Sequence, residues 1–229
     1  MRFRIGRRST GHRRKSLGQS LVEFTIMLPV LLMMLSGLVE FGILLNYYLD
    51  VIDAAREAAR FAADGDPIRD DAGNTLDPNP QYFQNVQELT KQSLDFASDS
   101  RIDWMAPAVC GTDIQGDVVI SAFSVVNDPA ICSAMGVSAP CVDKRFPTTA
   151  GDDGLSMCLS HVSSITTAEV SSILSGSLIP NSGLVLVEIY YDYHMVLGLP
   201  WIRAFVPDPI TLHAYSIMPN VNVEPTPTP

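Results

Sequence analysis

Residues 18–63 read GQSLVEFTIMLPVLLMMLSGLVEFGILLNYYLDVIDAAREAARFAA, and this stretch decides the fold of the chain. Within it, the 22 residues 24–45 contain a single charged side chain, Glu40. A helix of that length rises by about 33 Å, which is the thickness of the hydrocarbon core of a bilayer. The sequence therefore predicts a membrane-spanning helix over residues 24–45.

The helical pattern continues beyond this apolar run. After Asn46, apolar residues recur at the spacing of one helix face, at Tyr48, Val51, Ile52, Ala55, Ala58, Ala59 and Ala62. Charged residues occupy the opposite face, at Asp50, Asp53, Glu57, Arg60 and Asp64. We therefore expect one helix over residues 19–63, about 67 Å long, that crosses the membrane and then stands out of it.

Charge is distributed very unevenly along the chain. Seven of the 15 basic residues and none of the 25 acidic residues precede Gly18. The positive-inside rule predicts that residues 1–18 form a cytoplasmic leader and that the C-terminal part lies outside the cytoplasm. An arginine-rich segment is also typical of nucleic-acid binding, but beside a spanning helix anionic lipid explains it better. We expect the lipid bilayer as a partner and no nucleic acid.

A secretory signal peptide is the main alternative for this N-terminal region. Such a peptide has an apolar core of about 7–15 residues, followed by a cleavage site with small residues. The apolar run here is longer, so we expect the helix to be retained.

The residues around Gly18 carry a first resemblance. Gly18 is followed by Gln19 and, five positions on, by Glu23 within a hydrophobic helix. This arrangement resembles the type IV prepilin processing site. It implies that a membrane-embedded prepilin peptidase cuts between Gly18 and Gln19, so that Glu23 becomes the fifth residue of the mature chain.

Four landmarks narrow the resemblance to one family. They are G-Q-x-x-V-E-F over residues 18–24, Pro29 in a leucine-rich run, E-F-G over 40–42 and A-A-R-E-A-A-R over 54–60. Together they resemble the TadE family of the tight-adherence (Tad/Flp) pilus systems. The C-terminal strands, the second closing in Met218–Pro219, resemble that family as well. The resemblance implies a minor pilin or pseudopilin in the cytoplasmic (inner) membrane, with other pilin-like subunits and Tad assembly-platform proteins as partners.

Three residues of the apolar run are candidate subunit contacts in the membrane. A charged side chain at the bilayer centre costs about 3 kcal/mol, so Glu23 and Glu40 need an explanation. Glu40 is near the outer boundary, where headgroups can solvate it. For Glu23, the resemblance implies pairing with the N-terminal amine, on Gln19, of a processed neighbour. Pro29 removes one backbone hydrogen bond and is expected to loosen the helix.

The four cysteines, Cys110, Cys132, Cys141 and Cys158, all belong to the part expected outside the cytoplasm. In an oxidising compartment four cysteines predict two disulfides, with three possible connectivities. One of these nests Cys132–Cys141 inside Cys110–Cys158. A zinc site is the alternative, but C-x-x-C does not occur and His161 has no matching partner nearby in the sequence.

Residues 64–220 are expected to form an extracytoplasmic α+β domain. The predicted elements are helices over 82–98 and 166–174, strands over 117–127, 183–194 and 210–218, and a cysteine-bearing loop region over 129–160. Residues 64–80 read as an acidic loop without the spacing of a calcium-binding loop. Residues 221–229 form a Pro/Thr tail. The predicted fold class is thus α+β, a long membrane helix extended into a domain with a small antiparallel sheet.

Residues that could carry catalysis form no recognisable pattern. The motifs G-x-S-x-G and H-E-x-x-H and a glycine-rich phosphate loop do not occur. His161, His194 and His213 are isolated in loop or strand contexts. We therefore expect no enzymatic activity, no cofactor and no metal. The alternative to a pilus component is a permanently anchored extracytoplasmic domain that binds a ligand or an envelope polymer.

Overall fold

A computed structural model of the chain describes residues 17–70, 72–97, 116–175, 180–223 and 225. Helix α1 covers Leu17–Asp64 in 48 residues and continues through Pro29 without interruption. The segment Ser20–Asp64 contains an apolar window of mean hydropathy 2.2, long and apolar enough to cross a membrane. The predicted long N-terminal helix is confirmed.

The two halves of α1 differ in what covers them. Large apolar side chains from Leu21 to Leu35 are exposed, as expected for a surface that meets lipid. In the second half, Val51 and the alanines at 54, 55, 58, 59 and 62 are at most 3% exposed. The small alanine side chains let the sheet and a second helix approach α1 closely, and this half is the centre of the main core.

Five strands in the described part of the chain form one antiparallel sheet. Their bounds are β1 Gly116–Val126, β2 Cys141–Phe146, β3 Leu155–Ser156, β4 Ser182–Tyr193 and β5 Ile210–Pro219. The order is β2-β1-β4-β5, and the short β3 pairs with β1 on the same edge as β2. The central strands, β1 and β4, are long and rich in apolar and β-branched residues, as expected for strands that are covered on both faces.

Helix α1 packs on one face of this sheet. The alternating residues of β4 that were predicted to share a face all join its core: Val185, Val187, Ile189, Tyr191 and Tyr193. Helix α2, Pro80–Ala97, packs against the same half of α1 through Phe83, Val86 and Leu94. This agrees with the helix predicted over residues 82–98.

The strand β4 runs antiparallel to α1 and matches its covered half in length. Its start lies near Ala62, and its end, Tyr193, lies at Glu40. From Glu40 to Ala62 the helix rises by about 33 Å. The strand from Gly183 to Tyr193 also extends by about 33 Å. The sheet therefore covers α1 from Glu40 upward and leaves the preceding helix bare.

The opposite face of the sheet carries smaller elements. Helix α4, Thr167–Leu174, begins with a capping box, in which Thr166 and Glu169 satisfy each other's backbone amides. Its Val170 and Leu174 form a second core with Phe123, Val142 and Leu186. The α+β fold with a small antiparallel sheet is thus confirmed.

The region predicted as a loop over residues 129–160 is more ordered than its sequence suggests. It holds helix α3, Pro129–Ala134, the strand β2 and the short β3. Strand β2 has no clean alternation because a bulge opposite Ser124 and Val125 shifts its register. At the other end, Val221–Val223 form a 3-10 turn with Val223 buried, so the tail begins attached to the domain.

Helix α5, Pro200–Arg203, lies in the connection between β4 and β5. We call residues 194–209 the β4–β5 loop. It leaves the sheet at the end nearest Glu40. Beyond that point α1 continues into residues 17–39, which the sheet does not cover and which we call its bare half.

Candidate functional site: the bare half of helix α1 and its junction with the domain

The bare half of α1 carries the residues that the sequence singled out for processing and assembly. Gly18 and Gln19 lie within the first turn and a half of the helix. Glu23 and Pro29 follow on its exposed part. The hydroxyl of Thr25, one turn before Pro29, donates to the carbonyl of Leu21 at 2.8 Å. These residues are brought onto one continuous helix, and their roles between subunits remain predictions.

Glu40 marks the point where the domain begins to cover α1. Glu40 is 5% exposed, and its carboxylate accepts three hydrogen bonds from one short stretch of chain. Tyr193 donates its hydroxyl at 2.6 Å, and the amides of Val196 and Leu197 donate at 2.8 Å each. Three donors, two of them backbone amides, can hold a carboxylate in a site from which water is excluded.

Sequence reasoning placed Glu40 near the outer membrane boundary and missed these partners. They lie more than 150 residues further along the chain, so no local pattern could have indicated them. The informative signal was the charge itself, because a lone carboxylate in an apolar run requires compensation. Its predicted contact with another subunit stays a prediction.

Aromatic packing supports the same junction. The ring of Tyr47, two turns beyond Glu40, stacks on Tyr191 with centroids 6.0 Å apart and lies 5.4 Å from Tyr193. One turn before Glu40, the indole N–H of Trp201 donates to the hydroxyl of Ser36 at 3.3 Å. The junction thus holds β4 and the β4–β5 loop against α1 over about three turns of helix.

The A-A-R-E-A-A-R stretch is divided between two environments. Its four alanines face the core and are at most 3% exposed. Arg56, Glu57 and Arg60 face outward, with Arg56 3.2 Å from Asp53. At the end of α1, the carbonyl of Ala62 accepts hydrogen bonds from Tyr82 and Asn220, at 2.9 Å each. The motif therefore combines a tightly packed face with a charged outer face.

A separate polar cluster lies on the sheet face away from α1. The buried carboxylate of Glu188 accepts hydrogen bonds from Ser163, from the amide and hydroxyl of Ser164, at 2.9 and 2.7 Å, and from Tyr190 at 3.3 Å. His213 lies 3.2 Å away through Nε2. Burial would raise the pKa of Glu188, but the hydrogen bonds from His213 and the two serines hold it below its usual value.

This cluster lacks the geometry of a nucleophilic relay. In a Ser-His-acid relay the serine and the carboxylate meet different nitrogens of the imidazole. Here Ser164 Oγ and Glu188 Oε1 both approach Nε2 of His213, at 3.4 and 3.2 Å. His213 and His161 instead stack on the two sides of Tyr190, with centroids 4.5 Å away in each case.

Asp117 is a second buried carboxylate that accepts several hydrogen bonds, here from residues 156–161. Its buried carboxylate accepts from the hydroxyls of Ser156 and Ser160 and from the amides of Cys158, Ser160 and His161, at 2.6–3.2 Å. The two carboxylates thus fix the loop between β3 and α4 on the sheet. This arrangement explains why polar residues are buried here without assigning them any chemistry.

Metal ligands do not converge in the described residues: no group of three histidine, cysteine, aspartate or glutamate side chains there is placed to hold an ion. In the acidic loop that follows α1, the carboxylates of Asp66 and Asp70 accept hydrogen bonds from backbone amides at 2.7–3.0 Å. These carboxylates order the turns of the loop.

The cysteines agree with the disulfide prediction where they are described. Cys132 and Cys141 are bonded to each other, which joins α3 to the start of β2. Cys158 is also disulfide-bonded. Cys110, the other member of the predicted outer pair, lies outside the described residues.

Comparison with known proteins supports the N-terminal resemblance. Residues 18–60 match a family model described as TadE-like protein. The matched stretch contains Gly18, Glu23, Pro29 and Glu40 and ends at Arg60, so it confirms the resemblance for most of α1 and points to a Tad pilus-associated component. Searches of the curated proteins and of the solved structures find no match.

Proposed function

We propose that this chain is a minor pilin or pseudopilin of a Tad/Flp pilus system, processed between Gly18 and Gln19 and without enzymatic activity. The observation that carries the proposal is the division of the TadE-like stretch into two halves. Its first half is an apolar helix that the domain leaves bare, and its second half is rigidly joined to the domain. A subunit that is held in a membrane and then packs with similar subunits needs such a bare apolar helix.

The charge distribution supports the proposed orientation. Seven basic residues before Gly18 keep the leader in the cytoplasm, where the peptidase that we propose as partner reaches the Gly18–Gln19 bond. The domain then lies outside the cytoplasm, where disulfides such as Cys132–Cys141 persist. Other pilin-like subunits and the assembly platform would contact the chain through the bare half of α1.

The absence of enzymatic activity is also part of the proposal. The polar clusters around Glu188 and Asp117 are saturated with hydrogen bonds from the chain itself. Their serines and histidines hold the loop between β3 and α4 against the sheet.

The start of the mature chain tests this function. The full chain is expressed with its prepilin peptidase or with a peptidase lacking a catalytic aspartate, and membrane-extracted protein is sequenced from its N-terminus. We expect the chain to begin at Gln19 only with the active peptidase. A permanently anchored ligand-binding protein, the alternative function, would begin upstream of Gln19 in both strains.

A further inference from the structure

The β4–β5 loop is unusually apolar for a connection between two strands. Its residues 195–206 read MVLGLPWIRAFV, with Arg203 as the only charge. Ile202 and Val206 pack on the main core. Four other side chains of the loop remain exposed: Phe205 by 88%, Val196 by 51%, Leu197 by 40% and Trp201 by 39%. An exposed apolar patch of this kind marks a surface that is covered by something else.

The loop is fixed at a defined height along α1. The amides of Val196 and Leu197 bind Glu40, and Trp201 binds Ser36, which lies about 6 Å further toward the bare half. Ser36 belongs to the apolar run. The loop therefore lies beside the part of α1 that meets the lipid, and it reaches past Glu40 in that direction.

The exposed side chains of the loop continue an apolar surface of the helix. At the same height, α1 exposes Leu38 by 69%, Val39 by 43% and Phe41 by 59%. The ionisable side chains of the loop contact one another. Arg203 reaches Asp208 at 2.7 Å, and His194 lies 3.5 Å from the same carboxylate, next to the last strand pair Tyr193–Ile210. Arg203, the one charge between Trp201 and Phe205, is therefore paired with a carboxylate that lies just before the start of β5 in the sequence.

We propose that the β4–β5 loop is a second membrane-contacting element, whose side chains at Val196, Leu197, Trp201 and Phe205 enter the outer leaflet beside α1. Lipid is the occupant because the patch is continuous with the helix surface that the bilayer covers. Trp201 is amphipathic, like the tryptophans that are common at membrane interfaces. Its ring is apolar, and its N–H group donates a hydrogen bond to Ser36.

The length of α1 is compatible with this contact. If the loop covers α1 from Ser36 to Glu40 on one side, residues 20–39 remain as the span, with a rise of about 30 Å that still crosses the hydrocarbon core. Glu40 would then sit at the interface, shielded from lipid by its three donors. The inference rests on α1 spanning the membrane, as in the proposed function, but not on cleavage or pilus assembly.

Fluorescence quenching in lipid tests the proposal. Trp104→Phe leaves Trp201 as the only tryptophan of the full chain, which is reconstituted in phosphatidylcholine vesicles with the domain outward. We expect loss of Trp201 emission with lipid brominated near the headgroup end of the acyl chain, and little loss with aqueous iodide. A matched reporter replaces Tyr215, which is 57% exposed on β5, in the variant Trp104→Phe/Trp201→Phe/Tyr215→Trp. The emission of this reporter should be quenched by aqueous iodide and little affected by the brominated lipid.

A third reporter separates the two proposals. In Trp104→Phe/Trp201→Phe/Leu31→Trp, lipid quenching of the new indole establishes that α1 is inserted. If that reporter responds and Trp201 responds only to iodide, the loop lies in water and the inference is overturned while the spanning helix stands. If Trp201 is shielded from both quenchers, a protein surface such as a second copy covers the patch, which also overturns it. If the α1 reporter is not quenched by lipid, the proposed function fails with it.

Folding of the variants does not limit the test. Incorporation of 5-fluorotryptophan into the unaltered chain gives two fluorine resonances, one for each tryptophan. The Trp104→Phe variant is then needed only to tell which resonance belongs to Trp201. Broadening of the Trp201 resonance by nitroxide-labelled lipid is the expected result, and broadening by a soluble nitroxide alone contradicts the proposal.

Discussion

Tyr193 donates its hydroxyl to Oε1 of Glu40 at 2.6 Å, so the last residue of β4 holds the charged residue of the apolar helix. The carboxylate of Glu40, which the sequence analysis left to be solvated by headgroups, docks the domain on α1 instead. This relationship fixes where the rigid body ends and where the bare helix begins. The apolar half of α1 is thereby joined to the domain at one defined position along the helix.

Tyr193→Phe is expected to destabilise the domain by about 1.5–3 kcal/mol, because it removes a hydrogen bond to a charged group and leaves a buried carboxylate one donor short. Burial, and then the bond to Glu40, raise the pKa of Tyr193, so the hydroxyl remains a donor in mildly alkaline solution. Urea unfolding of the full chain in micelles measures the loss. Tyr215→Phe, at an exposed ring, should change the stability by less than about 0.5 kcal/mol. Equal effects of the two variants would refute the docking role.

The stability of the domain should fall in acid partly through Glu188. Its pKa in the folded state lies below the ordinary value of 4.5, so its contribution is fully present above that pH and is lost as the pH falls through the folded pKa. In Glu188→Gln we expect lower stability at pH 7 and a shallower decline between pH 5 and pH 3, about the range where a carboxyl titrates. Other carboxyls with lowered pKa, such as Asp152, titrate in both proteins, so the difference between the two curves is the measurement. Parallel curves would show that Glu188 does not contribute.

The Cys132–Cys141 disulfide closes a short loop, because the two cysteines are nine positions apart in the sequence. Replacement of both cysteines by alanine is expected to destabilise the domain by about 2–3 kcal/mol through the entropy of the unfolded chain. Reducing and non-reducing electrophoresis of the envelope protein should differ, and thiol reagents should label none of the four cysteines before reduction. Labelling of all four in native protein would contradict the disulfides and direct attention to zinc.

The parts of the fold that follow from local patterns could be predicted from the sequence. Hydropathy and helical spacing indicate α1 over nearly its whole length. Alternation indicates β4 and β5, and Thr166 with Glu169 marks the start of α4. Each of these signals is carried by residues within one element, so no knowledge of the topology is needed.

The parts that were missed depend on contacts between distant residues. Strand β2 contains Arg145, which a sequence pattern would place in solvent. The structure buries it at 7% exposure, with Ser121 at 2.7 Å, the carbonyl of Ile165 at 3.0 Å and Asp152 at 3.4 Å as partners. The burial of Glu188 and the junction at Glu40 likewise depend on donors from remote loops. Such compensation appears only when the topology brings those loops together.

Gly18→Val is expected to block processing, because a prepilin peptidase must bring the backbone at the cut site close to its catalytic aspartates. The accumulated chain would keep its basic leader, and intact-mass measurement of the membrane fraction would detect it. Gly42→Val is the matched control, since Gly42 lies on the same helix with open space around its Cβ position. It should be processed like the parent chain. A mature chain of normal mass from Gly18→Val would remove the assignment of the cleavage site.

The role of Glu23 distinguishes the proposed pilus subunit from a protein that is only anchored in the membrane. A glutamate in an apolar run is unfavourable for a lone helix by about 3 kcal/mol on insertion scales. The resemblance to pilins implies that the free amine of Gln19 on a processed neighbour supplies a positive charge that binds this carboxylate in the assembled state. The bond would form only between cleaved subunits, because an intact leader leaves Gln19 as an uncharged amide.

Glu23→Ala should therefore insert as well as the parent chain, or better by about 3 kcal/mol, and still fail to assemble with other pilin-like subunits. Processing should be largely preserved, which separates this variant from Gly18→Val. Crosslinking and co-purification from cells with the complete pilus system measure assembly, and the mass of the chain reports processing. Leu31→Ala, a truncation on the same exposed stretch of α1, controls for the loss of side-chain volume and should assemble. If Glu23→Ala assembles as well as Leu31→Ala, the carboxylate is not needed between subunits, and the chain is held in the membrane by its apolar surface alone.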